Sequence, residues 1–415
     1  MTQTPAAPRP RVPFDRRLAA GVQKVTAHAL GPYQTAIVRI GFSFTWLLFL
    51  VREWPHRLEL YGPDGPWSWE MGRRLITDNR SFTVLMWSDG RLWFEIVYGL
   101  AILSAVLMLL GWHTRAVSVV FMAGVMSLQN RSIFMGDGGD NVVHLMSLYL
   151  VLTRCAQVWS LDARRATRAA REGREGRGED GIVGPLLWTV LGGLLMAATY
   201  FSGVTGEWWL LVLMWVLWLG QGLWWLVSRY AADEPRVLLD VVANLVHNGA
   251  LVVIMAEVCL IYATAGWYKV QGSRWQDGTA LYYPLKLDYF APWPELSALL
   301  GASGLMVLLL TYGTVIVQVA FPFTLFNRKV KNVLLVAMIL EHAGIAALLG
   351  LPFFSLAMIA ADAVFLPTAF LVWLGARAAR GRDRLLGRAA PVDGAARVPR
   401  QSRSGDAESS RTLVG

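Results

Sequence analysis

The sequence predicts an all-α polytopic membrane bundle of about ten spans with both termini inside, a multi-pass protein of the cell membrane. Three observations predict it. Of the 415 residues 55% are hydrophobic and only 16% are charged, a balance more apolar than that of soluble domains. The apolar residues gather into runs, most of them close to the ~20 that cross the hydrocarbon layer as a helix. The formal charge of +9 sits in segments flanking those runs, where membrane topology places arginine, so no nucleic-acid partner is expected.

Residues 1–32 hold Arg9, Arg11, Arg16, Arg17 and Lys24 among prolines, a composition that suits a cytoplasmic basic tail without a core. No cleavable signal is visible, since the stretch has no apolar centre. The first span is Gln34 to Val51, short enough to need Arg39 and Arg52 snorkelling at its ends. In the loop that follows, Tyr-Gly-Pro-Asp-Gly-Pro-Trp-Ser-Trp (61–69) signals consecutive turns and predicts an ordered cap. Spans two to four are expected over Leu92–Trp112, Ala116–Leu128 and Asn141–Trp159. The charged linker 160–181 carries six arginines and marks one side of the membrane.

Spans five and six are Ile182–Phe201 and Trp208–Val227. Val237–His247 places Asp240, Asn244 and His247 on one stripe, as an amphipathic helix on the inner surface would. Span seven, Gly249–Trp267, leads into Lys269. Leu296–Phe326, Asn332–Leu349 and Phe353–Leu374 complete the set, and 376–415 reads as a disordered basic tail. Lys and Arg are far more numerous in the segments that share a side with the N-terminus. That asymmetry predicts N-in and C-in, with Lys269 and the loops 53–91 and 130–140 outside.

Lys269 stands where an apolar helix runs into a wet aromatic loop. It can snorkel to headgroups or, held in apolar surroundings, become a base, and its position fits both. Small Ala265 and Gly266 permit close helix approach, and Trp267, Tyr268, Trp275 and Tyr282 are candidate substrate-binding residues beside it. A second constellation is Met135-Gly-Asp-Gly-Gly-Asp-Asn-Val-Val-His144. Helical spacing puts Asp137, Asp140, Asn141 and His144 on one face, with an aspartate as helix cap and His144 as a candidate acid or base. Glu257, the Glu341-His342 pair and Asp362 lie within spans, so each must be neutral, paired or facing a wet cavity. Cys155 and Cys259 have no metal-type or disulfide spacing, and no metal is expected.

Tyr-Gly-Pro-Asp-Gly (61–65), Asp-Gly-Gly-Asp-Asn-Val-Val-His (137–144), Trp-Ser-Leu-Asp-Ala-Arg (159–164) and Ala-Thr-Ala-Gly-Trp-Tyr-Lys-Val (263–270), with Trp-Gln-Asp-Gly-Thr-Ala-Leu-Tyr-Tyr (275–283), together carry a family resemblance. Over roughly residues 30–375 the chain resembles the horizontally transferred transmembrane (HTTM) domain, the membrane part of vitamin K-dependent gamma-carboxylases. The resemblance implies that Lys269 is the base that deprotonates a reduced quinone, vitamin K hydroquinone or menaquinol, with His144 as a second active-site residue. It implies as partners the bilayer, a quinol, and a secreted peptide or small molecule to be modified. The sporulation-delaying-protein B group, which is also similar, implies a non-catalytic accessory for maturation or export of a secreted peptide. Where a carboxylase has another lysine, this chain has Trp267-Tyr268. The carboxylases' large extramembrane domain has no counterpart in the basic tail.

Overall fold

The computed structural model describes residues 13–132, 134–172, 182–201, 208–231 and 233–386, and every regular element among them is helical. In order, α1 is Phe14–Ala27, α2 Pro32–Glu53, α3 Arg57–Tyr61, α4 Trp69–Asn79, α5 Arg91–Leu110, α6 Thr114–Arg131, α7 Gly138–Val151 and α8 Leu161–Arg171. Next come α9, Val183–Phe201, α10, Trp208–Tyr230, and the long α11, Asp233–Gln271. Short helices α12 (Ser273–Gln276), α13 (Tyr282–Leu285) and α14 (Pro294–Ala302) lead into α15, Gly304–Ala320. The last three are α16, Arg328–Leu348, α17, Pro352–Asp362, and α18, Thr368–Leu385. The chain falls into two units, one ending at Leu371 and one starting at Val372; the described part of the second is the end of α18 and Leu386.

Helix α2 is the centre of the first unit. Pro32 at its first turn presets the backbone, Gly31 before it takes φ 61°, and its side chains Ala36, Phe42, Trp46 and Leu50 are essentially sealed. Around it pack α5, α7 and α17. Gly41 makes the last contact possible: a Cβ there would lie 2.5 Å from that of Ala360, well inside carbon–carbon contact. Arg39, expected to snorkel, is instead fully buried; its guanidinium has found backbone carbonyls inside the bundle, which removes any need to reach a headgroup.

Among the described residues, seven helices are long and apolar enough to cross a membrane, or eight if 352–365 and 368–385 count as one broken span. The chain is thus a multi-pass helical membrane protein by the length and composition of its elements. The expected spans over α6 and α7 are not in that set; α7, at 14 residues, is about 21 Å long, short of the ~30 Å hydrocarbon layer. The stretch Leu296–Phe326 is broken at Ser303, whose side chain accepts the N–H of Met306 and caps α15. Helices α9 and α10 leave most of their apolar surface exposed and hold each other through Trp188 and Trp218. These rings stack at 4.2 Å, and each indole N–H donates to the other residue's carbonyl at 2.9 Å.

Three stretches differ from expectation at the ends of spans. Residues 14–27 of the N-terminal segment form α1, and 161–171 of the charged linker form α8, because alanine and arginine sustain a helix; Ser160 caps α8 by accepting the Ala163 N–H at 2.9 Å. Likewise 376–385 continue α18. Of these segments, residues 1–12, 173–181 and 387–415 lie outside the described residues. Val237–His247 is not a separate surface helix; it is the first part of α11, since nothing in Asn248-Gly249 interrupts the helix. Its polar stripe grips the segment joining α1 to α2. Asn244 donates to Thr26 O at 2.9 Å, Asn248 to Val25 O and His28 O, both at 2.9 Å, and Asn248 Oδ1 accepts the Leu30 N–H at 2.8 Å. The His247 ring bridges Leu30 O and the Arg154 N–H, both at 2.8 Å.

Asp162 closes the start of α6. Its carboxylate accepts the N–H groups of His113 and Thr114 at 2.8 and 2.9 Å and the Thr114 hydroxyl at 2.8 Å, and Arg165 pairs with it. Burial pulls this carboxyl upward, but the bonds from Thr114, Arg165 and His113 outweigh it and hold the group below the usual aspartate range. Because the folded value is the lower one, the stabilisation is complete above the unfolded value of ~3.9 and is lost as pH falls through the folded value. Asp162→Asn is therefore expected to cost about 1–2 kcal/mol at neutral pH and to flatten the acid limb of the stability curve, read by thermal unfolding from pH 7 down to pH 3. An unchanged acid limb would remove Asp162 from this role.

Candidate functional site

The C-terminal third of α11 carries two polar residues on one face, Tyr262 and, two turns later, Lys269. Gly266 lies between them and lets α15 come close: a Cβ at Gly266 would meet the Val319 side chain at 2.7 Å. That approach brings Gln318, the neighbour of Val319, against Lys269. Lys269 Nζ donates to Gln318 Oε1 at 2.7 Å, and Gln318 Nε2 donates to Glu341 Oε1 of α16 at 2.5 Å. Gln318 is 5% exposed, and Lys269 and Glu341 are half-buried. After α11 the chain turns at Gly272, and Trp275 returns so that its ring lies 5.3 Å from Lys269 Nζ, within range of a cation–π contact. Lys269 thus points into the helices, with an amide, a carboxyl and an aromatic face around it.

Two turns deeper lies a second polar group. The Tyr262 hydroxyl donates to Asp362 Oδ1 of α17 at 2.9 Å and meets His342 Nε2 of α16 at 3.0 Å. Tyr262, His342 and Asp362 are 1%, 2% and 0% exposed, and the aromatic rings of Phe321 and Phe354 lie against Tyr262 and His342. Neither His342 Nδ1 nor Asp362 Oδ2 has a hydrogen-bond partner. A buried polar atom left so is costly unless a water or a ligand meets it. Glu341 and His342 are adjacent on α16, so the two groups are consecutive parts of one polar seam between α11, α15, α16 and α17.

The remaining sequence candidates are distributed elsewhere. Trp267 and Tyr268 are 63% and 74% exposed, because one and two residues before Lys269 on a helix are other faces; they do not line the seam. Tyr282 lies against Tyr283 and Lys286. Asp137 and Asp140 form a reciprocal capping box at the start of α7, with Asp137 Oδ1 accepting the Gly139 and Asp140 N–H groups at 2.6 and 3.1 Å. Asn141 is exposed and His144 half-buried. No hydrogen bond, ion pair or ring contact joins His144 to Lys269 among the described residues. Glu257 is half-buried on α11, near enough to Tyr149 of α7 to act on it electrostatically. A cavity of about 280 Å³ lies at the cap, lined by Leu58, Pro63, Asp64 and Arg91, and none of the candidate groups lines it.

Sequence reasoning passed over Tyr262 and Gln318. Both carried a readable signal. Tyr262 stands seven residues before Lys269 on an apolar helix, and Gln318 is the one amide in α15. Compared with family models, curated proteins and solved structures, the chain matches none.

Proposed function

We propose that this chain is an HTTM-type membrane enzyme whose Lys269 is the base for a reduced quinone taken from the bilayer. The product of that chemistry modifies a small molecule or a separate peptide, as in the carboxylases it resembles. The observation that supports this reading above others is the direction of Lys269: the side chain turns inward to Gln318 and Glu341, where a headgroup anchor would turn outward. The residues present suit a quinol. Lys269 offers an amine at one edge, Trp275 a ring face to lie against, and α15 and α16 leave most of their surface exposed, a side open to lipid-soluble molecules.

A bound quinol supplies two electrons and an acidic phenolic proton. Lys269 Nζ is the atom that takes the proton, and a proton-transfer group so placed accelerates its step by ~10²–10⁴-fold. Gln318 Oε1 fixes the direction of Nζ, so that its lone pair or remaining hydrogens face away from the helices. The Glu341 carboxyl behind Gln318 offsets the charge that Nζ gains. Trp275 narrows the access of water to the amine.

The competing reading, an accessory for maturation or export of a secreted peptide, draws support from the lack of any hydrogen bond, ion pair or ring contact joining His144 to Lys269 among the described residues. One experiment separates the two. Purified protein in lipid nanodiscs is incubated with menaquinol or vitamin K hydroquinone and oxygen, and quinone epoxide is measured. The enzymatic reading expects epoxide from the native chain and almost none from Lys269→Ala. Absence of epoxide with either quinol, or equal amounts from both proteins, sinks it in favour of the accessory role.

A further inference from the structure

We propose that Tyr262, His342 and Asp362 form a proton relay that carries the proton collected around Lys269 inward and stores it on Asp362. The proposal rests on the acid–base reading of Lys269, but its geometry is its own. Three side chains from three helices meet at one hydroxyl, with Asp362 Oδ1 at 2.9 Å and His342 Nε2 at 3.0 Å from Tyr262 Oη. The far atoms at both ends of the triad, His342 Nδ1 and Asp362 Oδ2, have no partner. One unmet atom accepts a proton where the relay begins, and the other belongs to the group that keeps it.

The transfer balances. In the first state His342 Nε2–H donates to Tyr262 Oη, and the Tyr262 hydroxyl donates to the Asp362 carboxylate. A proton reaching His342 Nδ1 releases the Nε2 proton to Tyr262 Oη, while the Tyr262 proton passes to Asp362 Oδ1. In the second state Asp362 O–H donates to Tyr262, and Tyr262 donates to the bare His342 Nε2. One proton has been added, no group has changed position, and both hydrogen bonds survive with their direction reversed. Burial favours the second state, because a carboxylate at 0% exposure with one hydrogen-bond donor loses most of its solvation. The other titratable groups that act electrostatically on this site are Cys259 of α11 and Glu341 of α16, and Lys269 acts on His342. Glu341 precedes His342 on α16 and is bonded through Gln318 to Lys269, so the entry to the relay at His342 Nδ1 lies one residue along the same helix from the Lys269 group.

A plain structural brace would use the same three residues to tie α11, α16 and α17 together, so the test must read protons. Full-length protein in lipid nanodiscs is followed by infrared spectroscopy through a pH jump. The relay expects a carboxylic-acid C=O band that shifts in deuterium oxide and disappears in Asp362→Asn. Tyr262→Phe keeps the ring and removes the wire; it is expected to delay the rise of that band by about tenfold or more in protein that remains folded, with a lowered thermal midpoint because two buried polar atoms lose their partner. In quinol turnover the same variant is expected to lower kcat by about tenfold and raise the solvent isotope effect, with KM unchanged. A band that rises at the native rate in Tyr262→Phe, or one that survives Asp362→Asn, overturns the relay. The band kinetics need no quinol, so a protein showing them without epoxide formation keeps the relay and loses the quinol reading.

Discussion

Arg39→Met is expected to destabilise the bundle by about 3 kcal/mol, the scale of taking a charged donor away from buried acceptors. Arg39 is 0% exposed, and four of its five N–H donors are committed to carbonyls. It donates to Met108 O, to Leu109 O at 2.8 Å, to Trp159 O at 2.8 Å and to Cys155 O at 3.2 Å. Met108 and Leu109 are in the last turn of α5, where the helix dipole is negative and carbonyls run short of helical partners; Met108 O also accepts the Gly111 N–H at 3.1 Å. The guanidinium therefore serves as cap for α5 and as rivet for the 155–159 turn. Methionine keeps much of the volume and removes every donor, leaving four carbonyls to find water inside the bundle. The effect is read as the loss of thermal midpoint in a fixed lipid or detergent. Arg39→Lys restores charge but only three donors without the planar fork, and is expected to recover part of the loss. A midpoint unchanged in Arg39→Met would show that the carbonyls are satisfied by other means.

Lys269→Met is expected to lower quinol-dependent epoxide formation by about 10²–10⁴-fold, the range for loss of a positioned acid–base group. The fold should survive, because Lys269 makes one hydrogen bond, to Gln318, and one ring contact, to Trp275. Gln318→Leu separates a positioned base from a free one. It keeps the amine but removes both the 2.7 Å bond to Lys269 and the 2.5 Å bond to Glu341, and it is expected to lower kcat with less effect on KM. His144→Gln, which leaves this seam untouched, is expected to retain turnover close to native. If instead His144→Gln is as damaging as Lys269→Met, the site is arranged around α7 and the seam is not its centre.

Much of the fold was legible because apolar runs carry their own length scale. The spans over α2, α5, α9, α10 and α16 read directly from hydropathy. The spans over α6 and α7 did not, because helices at the centre of a bundle are apolar for the sake of packing, whatever their length. Asp137 was readable as a cap because a capping box is a local pattern four residues wide. The partners of Lys269 were not readable, since Gln318 and Glu341 are 49 and 23 positions apart along the chain of bonds and only the approach of α15 at Gly266 brings them together. Placing His144 beside Lys269 came from resemblance, and no local rule of spacing connects α7 with α11.

The length of α11 has a mechanical meaning. The helix is one uninterrupted rod of 39 residues, gripped at Asn244, His247 and Asn248 by the end of α1 and the segment that follows it and bearing Lys269 near its far end. From Asn248 to Lys269 the rod is about 31 Å long, so a tilt of ~5° about the grip moves its tip by about 3 Å. That displacement equals a whole hydrogen bond. The grip at residues 25–30 holds the near end of this lever and the close approach of Val319 to Gly266 holds the far one, so the amine meets Gln318 with the tolerance that the two holds set together.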